Sequence, residues 1–147
     1  MKIDLDYMKA VLNIFIDSPS TFLTYRNLSE QGINMYQENG VMFDDQFIFH
    51  FLLLVENKLV SNNNLETSTL KSIGLEYGQR QCCHWSVPIR LTQAGHDFAA
   101  MLQQQEVFES LKSNFKELPF QVMLDAGKSL ASAYMKKKIK ELTGFSE

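Results

Sequence analysis

The chain of 147 residues is long enough to bury a full core without disulfide or metal staples, and it fits one domain or one small domain with an extension. Hydrophobic residues at 45% and charged residues at 21% exclude global disorder, and 14 basic against 17 acidic residues leave a net charge of −3, which excludes a general electrostatic pull toward nucleic acid. No segment approaches the roughly 20 apolar residues that span a bilayer, and the start MKIDLDYMKAV sets acids among its first apolar residues, unlike a signal peptide, so a soluble cytoplasmic protein is expected.

Residues 4–17 repeat Leu5, Met8, Val11, Leu12, Phe15 and Ile16 at helical spacing until Pro19 stops the run, which predicts a first helix. Residues 25–31 read as a short helix ending at Gly32, and residues 33–36 read as strand or loop. The stretch 44–60, DDQFIFHFLLLVENKLV, is the centre of the pattern. Phe47, Phe51 and Leu54, with Ile48, Leu52, Val55 and Leu59, make one broad apolar side of a helix. Asp44 is placed as its N-cap, where a short acceptor satisfies free first-turn amides, and Phe43 and Ile48 have the spacing of a hydrophobic staple.

Leu59 and Val60 then run into Ser61, Asn62, Asn63 and Asn64, a cluster that favours turns. Residues 85–91, WSVPIRL, alternate as a strand that Pro88 restricts to an edge or bulge. Between them lies a loop containing Gly74 and Gly78, so the whole reads as a hairpin with a long tip. Thr92 caps a helix to about Gln105 with Ala94, Phe98, Met101 and Leu102 facing inward. Residues 106–117 give another, with Val107, Phe108, Leu111 and Phe115. Pro119 opens a last helix to Thr143 with Gly144 as its stop. At about 1.5 Å per residue it spans roughly 37 Å. The expected class is α+β, mostly α: a winged-helix-like domain with a β-hairpin wing over residues 1–105, and a helical C-terminal extension over 106–147 packed on it.

The order helix, uncertain segment, helix, hairpin is that of a winged helix, with residues 44–58 in the place of the recognition helix. Three stretches, MKIDLDYMKAVL, FHFLLLVENKLV and RLTQAGHDFAAML, narrow the likeness. They resemble the prophage-associated domain of unknown function family 2513, whose members tend to read as a Tyr-His-Leu-like pattern ending in Gly-Leu-Ile, then Leu-Thr-x-x-Gly-His-x-Phe. Leu91, Thr92, Gly95, His96 and Phe98 match the second pattern, and His50, Leu53, Leu54, Leu59 and Val60 match the first. Phe49 stands where the family often has Tyr, and Lys58 where it often has Gly. The resemblance covers the chain to about Phe115 and implies a winged-helix-like fold in phage or bacterial cytoplasm. It supplies no activity.

A DNA reader needs Arg, Lys, Asn or Gln on the outer face of the central helix. That face carries Asp45, Gln46, Phe49, His50, Leu53, Glu56 and Asn57, with Lys58 only at its far end. Phe49 and Leu53, with His50 beside them, either pack under the last helices or form a candidate partner surface. Cys82, Cys83 and His84 are consecutive, whereas zinc ligands are usually two to four residues apart, so no metal or other cofactor is expected. No phosphate loop, nucleophile elbow or HExxH pair occurs, and a non-catalytic role is expected.

The last helix carries two apolar stripes. Met123, Gly127, Leu130 and Tyr134 are expected to dock on the domain, and Met135, Ile139 and Leu142 to meet a second copy in a homodimer. Lys136, Lys137, Lys138 and Lys140 complement the negative end of the helix, with Lys137 spaced to pair with Glu141. Lys136, Lys137 and Lys140 are also candidate phosphate contacts. The functional expectation is an interaction or regulatory module; the alternative is a DNA-binding regulator that uses the wing or these lysines.

Overall fold

Asp4 opens the first helix, its carboxylate accepting from the Tyr7 amide, and α1 (Leu5–Asp17) buries Leu5, Met8, Val11, Leu12 and Phe15 on one side. The computed structural model describes residues 1–144. Thr24 starts α2 (Tyr25–Glu30) through a capping box with Asn27, and Gly32, with φ 95°, turns the chain out of it. The open segment after it forms a single bridge, Tyr36 to Phe43. Asp44 then caps α3 (Asp45–Glu56) by accepting from the Phe47 amide, and the Phe43 ring packs on Phe47 at 5.9 Å.

The end of α3 explains Lys58. Its φ is 56°, its amide donates to the Val55 carbonyl at 3.0 Å, and the Leu59 amide donates to Leu54 at 2.8 Å. This is a Schellman turn with a lysine in the left-handed position that suits glycine.

Strand β1 (Val60–Asn62) pairs antiparallel with β4 (Ile89–Leu91), Ser61 opposite Arg90. Leu23 exchanges two backbone hydrogen bonds with Ile89 on the other side of β4, so β4 is flanked on both edges. Between β1 and β4 the chain makes a 3-10 turn (Lys71–Ile73) and a second pair, β2 (Leu75–Tyr77) with β3 (Cys82–His84). By sequence this pair is expected as loop and the last strand is expected to begin at Trp85, but residues 75–77 and 82–84 are strands and residues 85–88 are not. The Val87 amide turns back to the Trp85 carbonyl at 2.8 Å, and Pro88 has no N–H to donate.

Thr92 caps α4 (Gln93–Gln103), α5 (Gln105–Asn114) follows with no intervening loop, and α6 (Phe120–Thr143) closes the chain with Gly144 at φ 75°. On α4 it is Gly95, Phe98, Ala99, Met101 and Leu102 that face inward, whereas Ala94 is exposed. Helix α6 packs on α4 and α5, and at Gly127 it comes against the flexible end of the Met101 side chain, which would have to move to admit a Cβ. The result is an α+β, mostly helical fold with a winged-helix-like arrangement and a C-terminal helix, and its core runs continuously from Leu5 on α1 to Leu124 on α6.

Candidate interaction surfaces

Only Asp45, Gln46 and Glu56 among the residues of α3 are exposed. Two of these three are acidic, and no arginine or lysine lies on the helix. Phe49 and Leu53 are half-buried along a groove of 340 Å3, whose other walls are residues 1–3 and 116–120. The short connection into α6, rather than the last helices themselves, is what flanks them. Leu118, Met1 and the Lys2–Glu117 ion pair at 2.7 Å form the rim. Sequence patterning gives no sign that the N-terminal residues and the α5–α6 connection meet here, beyond an apolar Leu118 beside Pro119.

His50 does not belong to that surface. It is 1% exposed, its Nδ1 lies 2.7 Å from the Gln46 carbonyl, and its Nε2 accepts from the Asp4 amide at 2.9 Å. That pairing requires the neutral ring with its proton on Nδ1. Burial pulls its pKa below the ordinary histidine value, opposed by the Gln46 hydrogen bond and the Asp4 charge. The candidate surface loses His50 because the first turn of α1 folds over this side of α3, and the Tyr7 ring packs on the imidazole at 4.7 Å, tilted by 49°. The Tyr7 hydroxyl is buried without a hydrogen-bond partner, and burial together with the nearby Asp44 charge pushes its pKa well above the usual tyrosine value.

The residues of the Leu-Thr-x-x-Gly-His-x-Phe match have structural work. Thr92 Oγ1 donates to the Lys58 carbonyl at 2.7 Å and accepts from the Gly95 amide at 3.1 Å, while the Thr92 amide donates to Leu59 at 3.0 Å. A Cβ at position 95 would run into the Leu59 carbonyl oxygen, so glycine lets α4 start directly on the turn that ends α3. Leu91 and Phe98 are buried, and His96 is exposed. In the wing, Cys82 is buried, Cys83 half-buried, and His84 Nδ1 lies 2.7 Å from the Tyr36 hydroxyl. No group of three His, Cys, Asp or Glu able to hold a metal occurs among the described residues.

On α6 the two stripes part company. Met123 and Gly127 are buried and Leu130 and Tyr134 half-buried against the domain, as their spacing predicted. Met135, Ile139 and Leu142 are 52%, 54% and 83% exposed. Lys136, Lys137, Lys138 and Lys140 surround them in solvent, Lys138 reaching over the Tyr134 ring at 5.8 Å. The pair with Glu141 does not form; the ion pairs among the described residues are Lys2–Glu117, Arg26–Glu30 and Lys112–Asp6. No helix of the described residues is long and apolar enough to cross a membrane.

Comparison with protein-family models, with curated proteins and with solved structures finds no match.

Proposed function

We propose that the chain is a non-catalytic interaction or regulatory module of phage or bacterial cytoplasm, related to the prophage-associated domain of unknown function family 2513, and that it acts as a homodimer. The observation that carries this reading is the surface of α3. A helix that reads DNA must offer cations and amides to phosphates and base edges. Here the corresponding helix offers Asp45, Gln46 and Glu56, and gives its remaining outward side to Phe49 and Leu53 in the groove. The dimer is supported by the exposed stripe of Met135, Ile139 and Leu142 on a helix end that buries none of its own residues. A partner protein would meet Phe49 and Leu53.

One observation favours DNA binding as the second reading. Lys136, Lys137 and Lys140 stand exposed and outside every ion pair of the described residues, as phosphate contacts would. Gel retardation with host and phage DNA at low and moderate salt separates the two, because phosphate-driven binding falls steeply with salt and an apolar protein contact does not. The module reading expects no retardation at moderate salt. Tight, salt-sensitive retardation overturns it.

A further inference from the structure

The free end of α6 joins an apolar stripe to a concentration of positive charge: four of the chain's 14 basic residues fall at positions 136–140, with Glu141 the acid beside them. With about 3.6 residues per turn, Lys136 and Lys138 lie on opposite flanks of the line through Met135, Ile139 and Leu142. Pairing this stripe with itself brings the flanking lysines of two copies together, with only Glu141 beside them to offset the charge. A counterpart with acids at its edge matches the stripe better.

Acids edge a groove between α1 and α2. Its 390 Å3 have a mixed lining, with Ala10, Ile14 and Pro19 among serine, asparagine and glutamine side chains, and Asp17 and Glu30 stand at the ends of the two helices. Neither helix has a basic residue in its last turn, so acids stand where the backbone dipole already points its negative end. Glu30 is met by Arg26 on the exposed surface, and Asp17 is in none of the ion pairs of the described residues. Asn13 in the groove wall accepts from the Gln103 amide at 3.1 Å, at the end of α4. Helix α5 begins two positions later, and its Glu106 and Val107 lie along Leu130, Tyr134 and Lys137 of α6. The groove wall and the start of the free helix end are thus both linked to the region where α4 meets α5.

Resting on the dimer reading above, we infer that the two copies dock reciprocally, the Lys-flanked end of each α6 seating Ile139 and its neighbours in the α1–α2 groove of the other. The groove-facing lysines meet Asp17 and Glu30, and both helix ends are covered at once.

Reciprocity makes a charge exchange decisive. Light scattering at tens of micromolar is expected to show a dimer for the parent chain. Asp17→Lys with Glu30→Lys, and separately Lys136→Glu with Lys138→Glu, are each expected to weaken self-association about tenfold or more through like-charge contact. All four positions are exposed, so the melts of both variants should stay near that of the parent. Mixing the two variants restores a dimer, because each helix end then faces a groove of opposite sign. A parent that is monomeric removes the dimer reading and this inference together. A dimer that survives the groove reversal but is split by Ile139→Glu with Leu142→Glu keeps the dimer and overturns the groove, as does a mixture that stays monomeric.

Discussion

Helix α3 and the outer half of α6 carry the same kind of sequence signal, apolar residues three and four apart, and end in opposite surroundings. Around α3, Phe47, Phe51 and Leu54 are fully enclosed, and His50, at helical spacing from Phe47 and Leu54, is roofed by α1. Beyond Tyr134, no residue of α6 through Thr143 is even half-buried. A period of 3.6 states that a helix has an apolar side, and says nothing about whether the same chain supplies the cover. The difference lies in length: α6 runs 24 residues, and the domain under it ends after Leu130 and Tyr134.

The widest separation between the two regions should appear in truncations. Phe51→Ala removes a fully buried ring and leaves a cavity, for an expected loss of about 3 to 5 kcal/mol. Ile139→Ala at a site 54% exposed should stay within about 0.5 kcal/mol in the monomer. Denaturant melts at low protein concentration compare them directly, and equal losses would abolish the contrast. Acid then probes the roof over α3. Because the folded His50 has a pKa below its unfolded value, the native state binds fewer protons. Its contribution is complete above about pH 6.5 and is lost as pH falls from there toward the depressed folded pKa. The melting midpoint should fall between pH 7.5 and 5.5, and His50→Leu should flatten that part of the slope. An unchanged slope would mean that the ring is not held neutral. The smallest effect has the opposite sign: Lys58→Gly relieves a left-handed lysine and should raise stability by about 1 kcal/mol, measured as a shift in denaturant midpoint.

Much of this frame could be read in the chain beforehand. The cap at Asp44, the cap at Thr92, the stop at Gly144 and the docking stripe of α6 are signals within one or two turns, and each sits where its local chemistry demands. What escaped depends on parts remote in sequence. His50 stands three after Phe47 and four before Leu54, so its spacing already sets it beside the buried stripe; what the local sequence hides is its cover, the amide of Asp4 and the ring of Tyr7, which come from the other end of the domain. The β2–β3 pair has three residues per strand, too few for alternation to register, and is fixed by burial of Leu75 and Cys82 and by the Cys82 amide bonding Val41. Ala94 and Gly95 changed places because the side chain that fits least, not the one most apolar, decides which residue touches Leu59. The α1–α2 groove had no sequence signature, since acids at the ends of two helices look like ordinary solvated residues until the helices are set side by side.

The knot at Thr92 reaches further than the helix it starts. Its hydroxyl spans 34 positions to hold the Lys58 carbonyl, with Gly95 pressed on the next one, so the segment from β1 to β4 starts and finishes side by side. A segment tied at its neck can lengthen at little thermodynamic cost, roughly 0.6 kcal/mol for each doubling of a flexible loop. The tip between Tyr77 and Cys82 is therefore the place where lineages can diversify, or an engineer can graft a foreign peptide, while the core stays as it is.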